Sequence, residues 1–400
     1  MKKKYIIALV FLAISSFTTL SAHKASRGIT LSKNASISII TYKPGAEMYS
    51  MYGHSAIRVL DPEQGLDLVY NYGTFSFDSE SFYIDFIKGK LKYHLSVSSH
   101  KAEMRGMVYE KRDVIEQVLN ISDKDRQQIV DKLENTYHSD DRYYLYDFLF
   151  DNCATRIRDV VELPVKNTIY TDTSLFEAQS FRQLLQPYLK PYYWLDLGIN
   201  LLLNQKTDAL ANLSQQMFLP DHILNIYEYT YYGNPTAEQK FIQSEEILYQ
   251  AYHSDKDSLL DLLPVGWRIL IAFIIITFLG YILKFNTNFL DYTIAIIYGF
   301  LSLLFISLWI ISDHEVLQAN WNLIWTLPVL GIFFLSQKRK LFSFYYVTIN
   351  LGLLILLIAI PGIIPQSIPP VIFPFMMITG VLYIKRFIRF RSGFFFTKKT

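Results

Sequence analysis

The feature that most constrains this chain is a series of long apolar segments in its last third. Residues 266–400 contain about five of them, at roughly 267–283, 292–311, 321–336, 341–360 and 371–384. Several are slightly shorter than the roughly 20 residues that a membrane-spanning helix prefers. Because backbone polar groups inside a bilayer must be satisfied within the protein, the pattern predicts an all-α transmembrane bundle of about five helices.

Charged residues between these segments predict the orientation of the bundle. Basic residues follow the first, third and fifth segments, as Lys284, as residues 338–340 and as Lys385 with Arg386. The gap after the second segment is acidic, and the gap after the fourth is uncharged and rich in proline. Under the positive-inside rule the ends of segments one, three and five are cytoplasmic, so the chain before the bundle lies outside the cytoplasm.

The N-terminus has the pattern of an export signal, which places the front of the chain outside independently. A basic start at residues 2–4 is followed by an apolar stretch at 5–14 and by small residues up to Ala22. The apolar stretch of about ten residues is too short to span a bilayer. We therefore expect a signal peptide over residues 1–22, with an uncleaved anchor as the alternative.

The two parts of the chain differ in charge, as expected for a water-soluble domain joined to a membrane domain. Residues 267–400 contain eleven Lys or Arg and three acidic residues, a net charge of +8, so residues 1–266 carry −6. The overall charge of +2 argues against a nucleic-acid partner. After the signal we expect an exported domain over residues 23–265 and a transmembrane domain over 266–400, with a cytoplasmic C-terminus.

In the exported domain, strand patterns come first and helical patterns follow. Segments rich in β-branched and aliphatic residues predict strands at 35–41, 55–60 and 68–75, with a turn at 61–65. Apolar spacing and caps predict helices at 122–137, 148–161, 180–188 and 195–203. This order predicts an α+β domain with its strands gathered early.

The single cysteine, Cys153, excludes an internal disulfide and a thiolate-rich metal site. A free cysteine is usually a small buried residue, but an exposed thiol outside the cell would be oxidised. Asp151 or Asn152 can cap a helix that begins at Cys153. The positive end of that helix, with Arg156 and Arg158 nearby, would stabilise a thiolate. We therefore expect Cys153 to be a nucleophile.

Among the eight histidines, His54 is the best candidate for the base that a thiol nucleophile needs. It opens a predicted strand directly after Gly53, which would leave space around the ring. A lone strand histidine is more often a half-buried structural residue, and that alternative stays open here.

Hairpin geometry offers an orienting partner for His54. If the turn between the two strands is centred between its second and third residues, His54 faces Asn71 on the same side of the sheet. An Asn or Asp that holds the second ring nitrogen fixes the tautomer of the histidine in a Cys–His site. A shift of one residue would bring Tyr72 there instead, and Asp147 and Asp151 are competing partners.

Two motifs carry a family resemblance: Gly-His-Ser-Ala-Ile-Arg-Val at residues 53–59 and Phe-Asp-Asn-Cys-Ala-Thr-Arg at 150–156. The order of His before Cys is the reverse of that in papain. It is similar to the circularly permuted branch of the papain-like NlpC superfamily, in which lecithin:retinol acyltransferase-like enzymes share the Asn-Cys dipeptide. More closely, the whole chain resembles the Lnb family of bacterial lipoprotein N-acyltransferases. The resemblance also covers residues 71–73, 180–182, 195–198 and the loop with His314 and Asn320.

The resemblance implies an α+β, circularly permuted papain-like periplasmic domain followed by the transmembrane bundle in the bacterial inner membrane. It implies acyl transfer from a membrane phospholipid, through a Cys153 thioester, to the N-terminal amine of diacylglyceryl-modified lipoproteins, without a metal or nucleotide cofactor. Cys153, His54 and Asn71 would be catalytic, with Asn71 in a place that is often His in that superfamily. Substrate or oxyanion support would come from Asn152, Tyr72, Arg156 and His314.

Two other functions fit the same residues. A membrane-anchored cysteine amidase or peptidase of the cell envelope would use the same Cys and His, although such enzymes rarely need five membrane spans. A non-catalytic periplasmic membrane module would contain Cys153 as a structural residue only. The loop with Asp313 and His314 is either an ordinary hydrated loop or a contact for a lipid headgroup or lipoprotein.

Overall fold

The computed structural model describes residues 28–75, 81–233, 239–251, 264–335 and 337–395. The predicted signal peptide therefore lies outside the described residues.

The strands are β1 (Ser36–Tyr42), β2 (His54–Asp61), β3 (Leu66–Thr74), β4 (Lys92–Ser99), β5 (Val114–Leu119), β6 (Tyr143–Leu145), β7 (Ile169–Thr171), β8 (Gln179–Ser180), β9 (Leu210–Ala211), β10 (Thr230–Tyr232) and β11 (Ile242–Tyr249). The three predicted strands, β1, β2 and β3, lie in the middle of an antiparallel sheet with the order β11-β5-β1-β2-β3-β4-β6. The expectation that the strands are gathered early is met in part, because the late strand β11 pairs with β5 at the edge of this sheet. The remaining strands form two short pairs, β10 with β7 and β8 with β9.

Helices pack against this sheet and form the last third of the chain. They are α1 (Phe82–Lys88), α2 (His100–Glu110), α3 (Asp123–Tyr137), α4 (Cys153–Glu162), α5 (Phe181–Leu189), α6 (Tyr193–Leu202), α7 (Leu213–Gln216), α8 (Pro220–Glu228), α9 (Val265–Ile282), α10 (Asn288–Ile311), α11 (Leu323–Thr326), α12 (Lys340–Ala359) and α13 (Phe373–Phe395). The front domain is thus mixed α+β, as predicted.

The sheet is covered on both faces because its strands alternate apolar side chains between them. On one face Ile37 of β1 lies in a core with Ile129 of α3 and Ile157 of α4. On the other face the cover is α2, through Met104 and Met107. Since α4 lies directly against this central part of the sheet, its first turn is brought close to β2 and β3.

The segment before α4 differs from the prediction of a helix over 148–161. Asp147 and Asp151 exchange two backbone hydrogen bonds of 3.0 Å, which close a turn. Asn152, one of the two predicted caps, then accepts from the third residue of the helix, and α4 begins at Cys153. The predicted helix start is therefore wrong by five residues, while the cap and the position of the cysteine are confirmed.

The hairpin between β2 and β3 has a different register from the predicted one. Ile57 pairs with Tyr70, whereas the predicted turn centre would place His54 opposite Asn71. The turn contains four residues, 62–65, and is centred one residue later than predicted. The resulting shift of two residues keeps each side chain on its face of the sheet. His54 and Asn71 therefore remain on one face, although they are not directly opposite.

Among the described residues, three helices are long and apolar enough to cross a membrane: α9, α10 and α12. The predicted segment at 321–336 is divided into α11 and a 3-10 helix at Leu327–Phe334. Pro328 lacks an amide hydrogen, which disfavours a continuous α-helix there. The predicted segment at 371–384 lies within the longer α13. The region is helical as expected, and within the described part of the chain three of its helices have the length and hydropathy of membrane spans.

One buried ion pair joins α10 to α13. Asp291 has no exposed surface and binds Lys385 at 2.8 Å and Arg386 at 2.7 Å. Two of the basic residues that predict a cytoplasmic end thus also neutralise a buried carboxylate and connect the second and last long helices.

Reciprocal asparagine contacts join the front domain to the membrane region. Asn204, which follows α6, donates to the carbonyl oxygens of Glu315 at 2.7 Å and Gln318 at 2.5 Å. From the other side, Asn320 donates to the carbonyl oxygen of Leu201 at 2.7 Å. Both asparagines are buried. The loop after α10 is therefore packed against the front domain rather than freely hydrated.

Candidate active site

Cys153 is the first residue of α4, and the turn before it is held by Asn152. The side-chain oxygen of Asn152 accepts from Thr155 N–H, and its amide group donates to the carbonyl oxygens of Phe148 and Phe218. These bonds fix the helix start and use both ends of the Asn152 amide. Asn152 therefore supports the backbone at Cys153 rather than facing a substrate.

His54 is the first residue of β2, at the end of the strand that lies against the start of α4. The preceding residue must be glycine, since Gly53 has a φ of +79° and a Cβ there would lie 2.8 Å from the Tyr42 carbonyl oxygen. The His54 ring stacks on Tyr42, with ring centroids 5.7 Å apart and planes 8° apart. The glycine thus serves backbone conformation, and the imidazole is held by stacking rather than given free space.

The side chains of His54, Asn71 and Glu103 form a chain of hydrogen bonds. Nε2 of His54 lies 3.2 Å from Oδ1 of Asn71, and Nδ2 of Asn71 donates to Oε1 of Glu103 at 3.0 Å. Ser98 also donates to this Glu103 oxygen. A carboxylate only accepts, so the NH₂ group of Asn71 faces Glu103 and its oxygen faces His54. The ring therefore carries its proton on Nε2, and Nδ1 is left with a free lone pair for a proton.

Backbone groups of β2, β3 and α4 surround the thiol. The backbone N–H groups of Ser55, Ala154 and Cys153 itself lie near enough to the sulfur to lower the pKa of the thiol. Ser55 directly follows His54, so the base and the thiol lie next to the same short stretch of β2. On the other side, a Cβ on Gly73, whose φ is +86°, would lie 3.4 Å from the Cys153 Cβ. The glycine lets β3 pass close to the thiol.

Burial keeps the His54 imidazole and the Cys153 thiol uncharged in the free protein. Burial, followed by the positive charge of Arg112, lowers the pKa of His54 to about 4, although the hydrogen bond with Asn71 acts in the opposite direction. Burial raises the pKa of the Cys153 thiol above its ordinary value, even though the surrounding N–H groups and Arg112 lower it. The expected thiolate stabilisation is therefore outweighed by desolvation.

The two arginines expected to stabilise the thiolate are engaged elsewhere. Arg156 binds Asp151 at 2.5 Å and lies over the Tyr144 ring at 3.7 Å, while Arg158 binds Asp159. Arg112, which the sequence analysis did not single out, is the arginine whose charge acts on Cys153. Its guanidinium donates to the carbonyl oxygens of Tyr42 and Lys43, behind His54.

The remaining predicted residues lie at different distances from the thiol. Tyr72 is buried, with its ring edge toward Tyr144. His314 is in the loop after α10, where Nε2 lies 3.0 Å from the Phe86 carbonyl oxygen, so it belongs to the contact between the domains. The competing partner Asp147 accepts from backbone N–H groups of its own turn. The structure joins His54 to Asn71 and places Cys153 near the backbone of Ser55, the residue after His54, and the catalytic roles of all three stay predictions.

Four residues of this site were missed: Tyr42, Gly73, Glu103 and Arg112. Gly73 stood in the Asn-Tyr-Gly motif that contributes to the resemblance, so a signal was present. Tyr42 pairs with His54 in the β1–β2 ladder, which strand pairing could have indicated. Glu103 and Arg112 come from beyond these strands and had no local signal in the sequence. Among the described residues, no group of three or more His, Cys, Asp or Glu is arranged to hold a metal ion.

Comparisons with known proteins give matches to two models of one family. The model of the Lnb N-terminal periplasmic domain matches residues 24–187, and that of the Lnb transmembrane domain, named for five helices, matches residues 255–392. Searches among curated proteins and among solved structures found no match. The two matches place a periplasmic domain before a membrane-spanning helical domain, as the export signal and the charge pattern predict.

Proposed function

The chain belongs to the Lnb family, and from this premise we propose that it is a lipoprotein N-acyltransferase of the bacterial inner membrane. It moves an acyl chain from a membrane phospholipid, through a thioester on Cys153, to the N-terminal amine of diacylglyceryl-cysteine lipoproteins. The proposal includes a circularly permuted papain-like fold for the periplasmic domain, in which His54 on β2 precedes Cys153 on α4.

The observation that carries this proposal is the arrangement around the only thiol of the chain. Cys153 stands at the start of α4 near the backbone N–H of Ser55, and His54, the residue before Ser55, has its Nε2 3.2 Å from Oδ1 of Asn71. This is the arrangement that a nucleophile, a base and an orienting group require. The membrane region supports lipid substrates, because a tethered site meets membrane-anchored donors and acceptors at high effective concentration.

In the first step, Nδ1 of His54 accepts the Cys153 proton while the sulfur attacks the ester carbonyl carbon of the phospholipid. The backbone N–H groups of Cys153 and Ser55 donate to the oxyanion that develops. The bond between the carbonyl carbon and the glycerol oxygen then breaks. The proton passes from His54 to that oxygen, so that a lysophospholipid leaves and an acyl-Cys153 thioester remains.

In the second step, the uncharged amine of the diacylglyceryl-cysteine attacks the thioester carbonyl carbon. His54 accepts a proton from this amine and returns it to the sulfur as the carbon–sulfur bond breaks. The products are an amide on the lipoprotein and the free thiol of Cys153. Two easier steps thus replace one difficult transfer, and burial of the thiol disfavours hydrolysis of the thioester.

The test is intact mass spectrometry under denaturing conditions, after incubation of the purified protein with phospholipid vesicles. We expect an added acyl mass on the wild type and none on Cys153→Ala, the matched control. Hydroxylamine should remove the adduct, as should a diacylglyceryl-cysteine peptide, which should itself gain the acyl chain.

Two outcomes would reject the proposal. If no adduct forms and peptidoglycan fragments are cleaved instead, the protein is an envelope amidase with the same Cys–His pair. If there is neither adduct nor cleavage, and cells with Cys153→Ala are unimpaired, the domain is a non-catalytic membrane module.

A further inference from the structure

Helix α1 is attached to the outer end of the membrane helix α10. The Asp313 amide, two residues beyond the end of α10, donates to the Lys88 carbonyl oxygen at 3.0 Å. His314 lies 3.0 Å from the Phe86 carbonyl oxygen, and the two rings are in contact range at 6.3 Å between centroids. Because α10 spans the bilayer, these bonds hold α1 at the level of the outer membrane surface.

The side of α1 that faces away from the periplasmic domain is apolar. The side chains of Ile84, Phe86 and Ile87 are 55%, 49% and 46% exposed, while Phe82 on the opposite side is buried. In a seven-residue helix this is a large apolar surface to leave in water, since removing apolar side chains from water is favourable. An apolar helix face held at the level of the outer membrane surface would lie next to the lipid bilayer.

Lysines follow the apolar residues of α1 in the sequence, a combination that is typical of helices that lie on a membrane surface. Lys88 is in the last turn of α1, and Lys90 and Lys92 are exposed just after it. Lysines next to a buried apolar face are attracted to anionic phospholipid headgroups. Charge and apolar surface therefore favour the same occupant, a lipid surface, over a second protein.

A continuous row of aromatic rings connects α1 with the thiol. Phe82 contacts Phe75 with ring centroids 5.7 Å apart, Phe75 contacts Tyr93 at 5.1 Å, and Tyr93 stacks on Tyr146 at 4.3 Å. Tyr146 and Cys153 are neighbours across one glycine, since a Cβ at Gly73 would lie 3.4 Å from the Cys153 Cβ and 3.9 Å from the Tyr146 ring. Packed aromatic rings, among which Phe82 and Tyr93 are buried, thus run from α1 to the neighbourhood of the nucleophile.

We propose that α1 is an interfacial helix that inserts Ile84, Phe86 and Ile87 into the outer leaflet, and that the row Phe82–Phe75–Tyr93–Tyr146 guides a phospholipid acyl chain from there to Cys153. The guiding role rests on the proposed function. The insertion of α1 does not, because it follows from the contacts with α10 and from the exposed apolar face.

The insertion is tested by labelling single cysteines in the Cys153→Ala protein with an environment-sensitive fluorophore, in vesicles that contain lipids with a quencher at a known depth. Phe86→Cys is the test position. Glu63→Cys is the matched control, because Glu63 lies in the turn before β3. The nine residues of β3, about 30 Å of extended strand, separate this turn from the end of β3 that leads to α1. We expect quenching at 86 and none at 63. The proposal is overturned if the labels at both positions emit as they do in water. It is also overturned if the label at position 86 is shielded from water but not quenched by the lipids, which would indicate a protein partner.

The guiding role is tested by the variant Ile84→Ser/Ile87→Ser, beside Leu163→Ser/Leu175→Ser, which removes two similarly exposed leucine side chains from other parts of the domain. We expect at least tenfold slower Cys153 acylation from vesicle phospholipid in the first variant only, with unchanged acylation from a water-soluble short-chain ester. Equal loss with both donors overturns the guiding role. If the wild type itself is never acylated, the proposed function fails, and the quenching result still decides the insertion.

Discussion

At the residue scale, the orientation of one amide determines whether His54 can act as a base. Asn71 has an oxygen and an NH₂ group of similar size, and only the oxygen can hold Nε2–H of His54. Glu103 decides between them, because its carboxylate at 3.0 Å accepts from the NH₂ group and repels the oxygen. Glu103 is thus a positioning residue that acts through Asn71.

The variant Glu103→Gln tests this positioning. A glutamine can donate as well as accept, so Asn71 can turn over and present its NH₂ group to His54. We expect kcat for thioester formation to fall about tenfold, in the range for loss of a group that orients a histidine, with an unchanged KM. Lys101→Gln on the exposed side of the same helix is the control and should match the wild type. A rise in KM with unchanged kcat would show that Glu103 acts on binding instead.

The neutral state of the Cys–His pair predicts how the free thiol reacts with pH. The thiolate is the reactive form, and burial raises the pKa of Cys153 above its ordinary value. His54, with a pKa lowered to about 4, carries no charge at neutral pH that would hold a thiolate. The rate of alkylation by iodoacetamide, followed by mass, should therefore rise about tenfold per pH unit from 6 to 9.

A preformed thiolate–imidazolium pair would give another profile, with a plateau between two pKa values that includes neutral pH. Such a plateau would contradict the neutral pair. His54→Ala is the control, and it should keep the steep rise because the neutral ring does not hold the thiolate. Since Cys153 is the only cysteine, the mass shift reports this thiol alone.

At the scale of single elements, the sequence predicts what depends on local pattern. At two helix starts the sequence offers adjacent capping candidates, Ser122 or Asp123 and Asp151 or Asn152. Ser122 and Asn152 are the ones that accept from a backbone N–H in the first turn of their helices. The strands of the β2–β3 hairpin were found to within two residues, but its register was not, because the turn could be centred in two ways. His54 and Asn71 still lie on one face of the sheet because the predicted register was wrong by two residues, an even number.

The elements that were missed depend on contacts between distant parts of the chain. The divided third segment has a local reason in Pro328, yet Tyr346 of α12 also donates to the Pro328 carbonyl oxygen at 2.6 Å. A Cβ at Gly331 would lie 2.0 Å from the Tyr346 hydroxyl oxygen, so the glycine is needed for this approach. Hydropathy alone contains none of this information, so it predicted a full-length span.

The ion pair between α10 and α13 yields a prediction at this scale. Asp291→Asn would leave Lys385 and the buried Arg386 without a carboxylate, which in buried sites costs about 3–5 kcal/mol. We expect a clearly lower thermal midpoint of the protein in detergent. Asp313→Asn is the control, because its pair with Lys90 is exposed and is worth less than about 1 kcal/mol. Equal midpoints for the two variants would show that the pair contributes little to the bundle.

At the scale of the whole molecule, the site is useful only if the periplasmic domain is held at a fixed height above the bilayer. The charge pattern and export signal predicted the two domains and their sides, but they contain no information on how the domains pack. That packing is carried by buried polar groups, such as Asn204 and Asn320, which donate to backbone carbonyl oxygens across the interface. Polar residues in a loop favour exposure to water, but in the structure these two asparagines are buried and donate to each other's side of the interface.

These contacts predict that a substitution in the interface slows the reaction with membrane substrates without changing the reactivity of the Cys153 thiol. Asn204→Ala removes the two hydrogen bonds that the side chain donates across the interface and the one that it accepts from Lys206 N–H. The carbonyl oxygens of Glu315 and Gln318 are then left without their donor, at about 1–3 kcal/mol each where they stay buried. The loop at residues 313–320 should then exchange its amide hydrogens faster, while iodoacetamide should alkylate Cys153 at the wild-type rate.

Acylation of Cys153 from vesicle phospholipid should fall in Asn204→Ala, because the periplasmic domain no longer holds its site against the membrane. Asn212→Ala is a suitable control, since Asn212 caps the short helix α7 within the periplasmic domain by accepting from Gln215 N–H. If alkylation and acylation fell together, the substitution would have disturbed the site itself. Loss of acylation alone means that the height of the domain above the bilayer, and not only the Cys–His pair, determines the rate.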